Sequence, residues 1–184
     1  MVHEFPCGTR ALDFIGTLRA RRIDEPFDFL TDPGTLDAWF DESGLVPGGV
    51  GATAADFARA IELREAGYAL IWSRLHQHEM PASAVKTVND VAAKPTVQIR
   101  LEDNSWVTSG TAEQALSQIA REIIEIAGGR ETHLLRECGR EGCTQIYLDH
   151  SRGRRREWCS MSSCGSRMKA KAYRERKKAA QQSE

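Results

Sequence analysis

Cys138-Gly139-Arg140-Glu141-Gly142-Cys143 and Cys159-Ser160-Met161-Ser162-Ser163-Cys164 are two cysteine pairs with four residues inside each pair and fifteen between them. Tetrahedral zinc takes thiolates at about 2.3 Å, and two short cysteine loops joined by a longer excursion let a chain wrap one ion from two sides. Two disulfides or four unrelated buried thiols are the competing reading. Residues 1–10 contain His3, Glu4 and Pro6 and no apolar run of signal-peptide length, so a reducing cytoplasm is the expected location. There, paired cysteines hold metal more often than they form bridges. Four thiolates complete the tetrahedron without His150 and leave no position for water or substrate, so the expected zinc is single and structural. Cys7, far from the others, reads as an ordinary small residue.

Directly after the last cysteine come Gly165-Ser166-Arg167-Met168-Lys169-Ala170-Lys171-Ala172-Tyr173-Arg174-Glu175-Arg176-Lys177-Lys178, a helix-forming run in which Arg167, Lys171, Arg174 and Lys178 recur on one face over about 17 Å. From 152 to 178 there are eleven Lys+Arg against two Asp+Glu. A solvated basic tail is one reading of such a run. Phosphate contact is the better one, because the charges follow a metal knuckle that defines where the helix starts. Arg152, Arg154, Arg155 and Arg156 add a second basic element suited to backbone phosphates.

Working outward, the net charge of -1 conceals a split: residues 1–135 carry 12 Lys+Arg and 20 Asp+Glu, and residues 136–184 carry 13 and 6. Two modules are expected, 1–130 and 131–184. The smaller one has few core candidates beyond Ile146, Leu148, Trp158 and Met161, so zinc must supply its fold. Structural zinc contributes on the order of 10–16 kcal/mol in finger peptides, and its removal is expected to melt this module alone. Within it, residues 145–149 and 155–158 are predicted to pair as two strands around Gly153, with Ser162 or Ser163 capping the basic helix.

The larger module reads as mainly α with one short β-hairpin. Apolar residues at 11, 14, 15 and 18 predict a helix over 10–18. Asp32 and Pro33 open one that Gly44 stops, and the longest stripe runs from Thr53 to about His78. Pro81 opens a helix to about Ala92, residues 96–101 and 105–108 alternate as a hairpin, and a last helix covers 111–127.

The four cysteines, Tyr147-Leu148-Asp149, Ser151-Arg152, the 155–161 approach and Ala170-Lys171-Ala172-Tyr173-Arg174 together resemble the CGNR zinc-finger family. In these bacterial proteins the finger follows an ABATE-type domain, and they are regarded as stress-induced transcription regulators. The signature quartet here is Cys164-Gly165-Ser166-Arg167, with serine at 166 in place of asparagine. Leu12-Asp13-Phe14-Ile15-Gly16-Thr17 resembles the family's Leu-Asp-Phe-x-Asn-Thr segment, with Gly16 in place of its asparagine, and Glu62-Leu63-Arg64-Glu65-Ala66 resembles its central helix.

The resemblance implies a DNA-binding regulator whose first domain senses a signal or small-molecule effector. Asp13, Thr17 and Arg64 are candidate pocket residues, with an interhelical Asp13–Arg64 pair as the plain alternative. Arg167, Lys171 and Arg174 are expected in the major groove, with Ser166 at the helix start and Lys169, Arg176, Lys177 and Lys178 towards phosphates. One recognition helix buries little surface, so a homodimer on two half-sites is expected. An RNA-binding zinc module and a zinc-stapled protein-interaction domain remain the alternatives. No phosphate-binding glycine loop, nucleophile elbow or paired carboxylates are present, so no catalysis is expected. No run is long enough to cross a bilayer.

Overall fold

A computed structural model of the chain describes residues 3–181. The first helix, α1 (Arg10–Ile15), starts at Thr9, whose hydroxyl accepts from the Leu12 amide. It is shorter than its periodicity predicts. Thr17 Oγ1 donates to the Phe14 carbonyl at 2.8 Å, and the chain turns at Gly16 into β1 (Leu18–Arg19), which pairs with β2 (Phe27–Asp28). Competition from a local hydroxyl ends the helix where propensity alone would extend it.

Helices α2 (Pro33–Glu42), α3 (Ala54–Leu75) and α5 (Ala112–Gly128) each begin with a capping box, formed by Asp32 with Thr35, Thr53 with Asp56, and Thr111 with Gln114. Pro81 precedes α4 (Ala82–Ala92). Between α4 and α5 lies the hairpin of β3 (Gln98–Glu102) and β4 (Ser105–Ser109), in register Leu101 to Trp106. Helices α3, α4 and α5 pack on one another, and α1 lies against α3 and α5. Gly67 permits the close approach of α3 to α5, since a Cβ there would stand 2.7 Å from Ile123 Cδ1.

The core holds Leu12, Phe14, Trp39, Phe40, Leu63, Ile71, Leu116 and Ile123, and it runs without interruption into Leu135, Ile146, Tyr147 and Leu148. After a 3-10 turn (Thr132–Leu134), β5 (Leu135–Glu137) pairs antiparallel with β6 (Ile146–Leu148).

The zinc-stapled hairpin therefore exists, but its strands are not the predicted pair. Residues 155–158 form no strand. Arg154 has φ of +52°, the Asp149 carboxylate draws in the amides of Ser151 and Arg156, and the Glu157 carbonyl accepts from Gly139. This backbone is bound into a loop, whereas Leu135, 1% exposed, supplies an apolar partner over the core. The first cysteine pair thus sits in the loop of β5–β6 itself.

The last helix, α6 (Ser166–Gln181), is preceded by a π-helical turn (Met161–Gly165) in which Gly165 donates to the Ser160 carbonyl. Ser160, whose hydroxyl accepts from the Ser162 amide, caps the π turn that runs into α6, in place of the expected Ser162 or Ser163. No described helix is long and apolar enough to cross a membrane.

Candidate metal centre and nucleic-acid interface

Cys138 and Cys143 come from the β5–β6 loop, Cys159 from the segment beneath it and Cys164 from the π turn. Their Sγ atoms lie within 4.8 Å of one another and all four residues are buried. Cys159 to Cys164 is 3.5 Å and Cys164 to Cys143 is 3.7 Å. Zn–S bonds of 2.3 Å at the tetrahedral angle place sulfurs about 3.8 Å apart, so the cage has the size of one zinc ion. Among the described residues no other group of three or more His, Cys, Asp or Glu side chains is placed to hold a metal.

Four thiolates around Zn²⁺ carry two net negative charges, and the protein supplies donors against them. Arg140 Nε donates to Cys164 Sγ at 3.0 Å and the Cys159 amide to Cys138 Sγ at 3.4 Å. Arg140 was missed by sequence reasoning, although its place between two ligands in the first knuckle is a usable signal.

The predicted basic residues divide. Arg152, Arg154 and Arg155 are exposed on the loop after β6. Arg167, Lys169, Lys171, Arg174, Arg176, Lys177 and Lys178 are exposed on α6. None of the side chains of these ten cations is engaged in an ion pair or hydrogen bond among the described residues. Residues 169–179 are exposed on every face, so the helix stands clear of the body from its zinc-held start. Ser166 Oγ donates back to the carbonyls of Ser162 and Ser163 at 3.0 Å, stitching the π turn to α6.

Arg156 behaves differently. Its guanidinium donates to the carbonyls of Trp158 at 2.8 Å, Pro6 at 2.8 Å and Cys159 and stacks 4.3 Å from the Tyr147 ring centre. It is an internal clamp rather than a free cation.

Asp13, Thr17 and Arg64 are all buried, but only Thr17 and Arg64 meet, and Asp13 lies apart from them. Arg64 forms a two-pronged pair with Asp28 at 2.6 and 2.8 Å and donates to Thr17 at 3.3 Å. Asp13 accepts from the Cys7 amide at 2.7 Å and borders an open cavity of about 320 Å³ with Phe5, Gly8, Thr9 and Glu42. Neither the common pocket nor the interhelical pair is formed. Burial pushes the Asp13 carboxyl up to about 6 against the lowering effect of the Cys7 amide.

The finger is pinned to α1 by Gln145, which the sequence did not single out. Its Nε2 donates to the Gly16 carbonyl at 2.7 Å and its Oε1 accepts from Cys7 Sγ at 3.0 Å. A Cβ on Gly16 would overlap that Oε1 and stand 3.0 Å from Cδ. The missing side chain at 16 is what admits Gln145.

Comparison with protein families matches residues 8–130 to ABATE, described as "Putative stress-induced transcription regulator", and residues 135–177 to the CGNR zinc finger. No curated protein matches the chain. The finger match and the cysteine cage together support one structural zinc ion.

Proposed function

Since the chain belongs to the ABATE family and carries a CGNR zinc finger, we propose that it is a zinc-dependent DNA-binding transcription regulator acting by binding rather than catalysis. One observation carries this reading. A helix with seven cations, unpaired among the described residues, stands clear of the body directly after the fourth cysteine of a zinc-sized cage. A helix about 10–12 Å wide suits the major groove of B-DNA, and the basic loop 152–155 lies on the same module to meet phosphates. In this reading Cys138, Cys143, Cys159 and Cys164 hold the zinc, Arg167, Lys171 and Arg174 face the groove, and Lys169, Lys177 and Lys178 meet the backbone. The A-form RNA major groove is too deep and narrow for side chains to read, which favours duplex DNA over duplex RNA.

Competition of equal lengths of duplex DNA and duplex RNA for the zinc-loaded chain tests the proposal. DNA is expected to win, with the advantage lost when Arg167, Lys171 and Arg174 are all changed to alanine. Preference for RNA would replace it with the RNA-binding reading.

A further inference from the structure

The β3–β4 hairpin carries an apolar face that nothing among the described residues covers. Cross-strand partners share a face, so the register of Leu101 with Trp106 and Ile99 with Thr108 puts Ile99, Leu101 and Trp106 together on one side. They are 67%, 83% and 61% exposed. The charged residues Arg100 and Glu102 fall on the opposite side and pair with each other.

We infer that this hairpin is a self-association arm, on which a second copy of the chain stacks its own Ile99, Leu101 and Trp106 across a twofold axis. Charge selects the occupant. The face bears no charge in a chain with 28% charged residues, and its tip is acidic through Glu102 and Asp103. Nucleic acid and an anionic bilayer find no cation there and are repelled by the tip. An identical face meets it with no charge desolvated, and with the two hairpins antiparallel across the axis the acidic tips lie at opposite ends. Self-complementarity of one patch is what an isologous twofold contact requires.

Area is consistent with this occupant. At the quoted exposures, and taking about 150–250 Å² for a large side chain, the three residues supply roughly 300–500 Å² per copy. Two copies reach the low end of specific interfaces, about 1,000 Å² in total, once the flanking strand edges are added. A reversible dimer is the result. The inference stands on the hairpin alone and is independent of DNA binding; where both hold, the dimer presents two copies of α6.

The test is sedimentation equilibrium of the full zinc-loaded chain without DNA, over about 1–100 µM, the range such a contact calls for. Wild type is expected to move from the 20.5 kDa monomer towards twice that mass. Leu101→Glu and Leu101→Lys should each weaken the dimer at least about tenfold by placing like charges across the axis, and an equimolar mixture of the two should restore it. Unchanged circular dichroism and zinc content exclude misfolding at this exposed position. A monomeric wild type throughout, a dimer indifferent to both substitutions, or a mixture that fails to recover would each overturn the inference.

Discussion

Replacing Gly16 with alanine is expected to destabilise the protein by on the order of 2–3 kcal/mol, although alanine suits the backbone there. Gly16 has φ of −74° and ψ of −2°, an ordinary right-handed conformation in which Gly→Ala usually gains about 0.4–1 kcal/mol from the unfolded chain. Against that gain stands Gln145, 2% exposed, whose amide the new Cβ would displace. Two hydrogen bonds, to the Gly16 carbonyl and from the Cys7 thiol, are broken at about 0.5–1.5 kcal/mol each, and the buried groups left unpaired cost about 1–3 kcal/mol more.

At the size of this chain, 2–3 kcal/mol lowers Tm by roughly 4–12 °C. Urea unfolding in the presence of zinc, for Gly16→Ala, Gln145→Ala and the double variant, isolates the cause. With Gln145 truncated only the Leu12 carbonyl oxygen, 3.0 Å from the new Cβ, still crowds residue 16, so most of the penalty should be relieved, giving a coupling of about 2 kcal/mol or more. An equal penalty in both backgrounds, or less than about 0.5 kcal/mol in the wild type, would refute the wedge.

Because Gln145 ties the zinc hairpin to α1, chelation should loosen more than the finger. Hydrogen exchange at the Gly16 and Thr17 amides is expected to accelerate when zinc is removed; unchanged protection would restore independent melting. Arg156→Lys should lower the urea midpoint while leaving the salt slope of DNA binding unaltered, whereas Arg154→Ala with Arg155→Ala should do the reverse. Changing Lys177 and Lys178 to alanine should flatten the log Kd against log salt plot by about 0.9 for each phosphate that is no longer neutralised, and an unchanged slope removes them from the interface. Asp13, raised from 3.8 to about 6 by burial, holds its proton more tightly when folded than unfolded. Its contribution is full below about pH 4 and is lost as pH rises through about 6, so wild type should fall relative to Asp13→Asn by on the order of 2–3 kcal/mol between pH 4 and 7 in urea titrations; a flat difference contradicts it.

The capped helices are legible in the sequence because Asp32, Thr53 and Thr111 announce their own starts, and the cysteine cage is legible because ligand spacing is a local property. What is not legible depends on contacts distant in sequence. Residues 155–158 follow the turn residue Gly153, where a partner strand for 145–149 is expected, but Asp149 and Gly139 claim their backbone. Arg156 looks in sequence like its neighbours Arg154 and Arg155, and only the Pro6 carbonyl and the Tyr147 ring mark it as internal. Asp13 and Arg64 are candidates for one site because both lie in segments that resemble the family, yet Cys7 and Asp28, each outside those segments, separate them. Gly16 stands out as a departure from the family pattern, but its meaning lies 129 residues away, at Gln145.

Zinc-dependent DNA binding is most directly tested by titrating the zinc-loaded chain into random duplex DNA across a salt series, beside a chelated sample. The expected result is binding that weakens steeply as salt rises and disappears on chelation. Absence of binding at low salt, or binding unchanged without zinc, would contradict it.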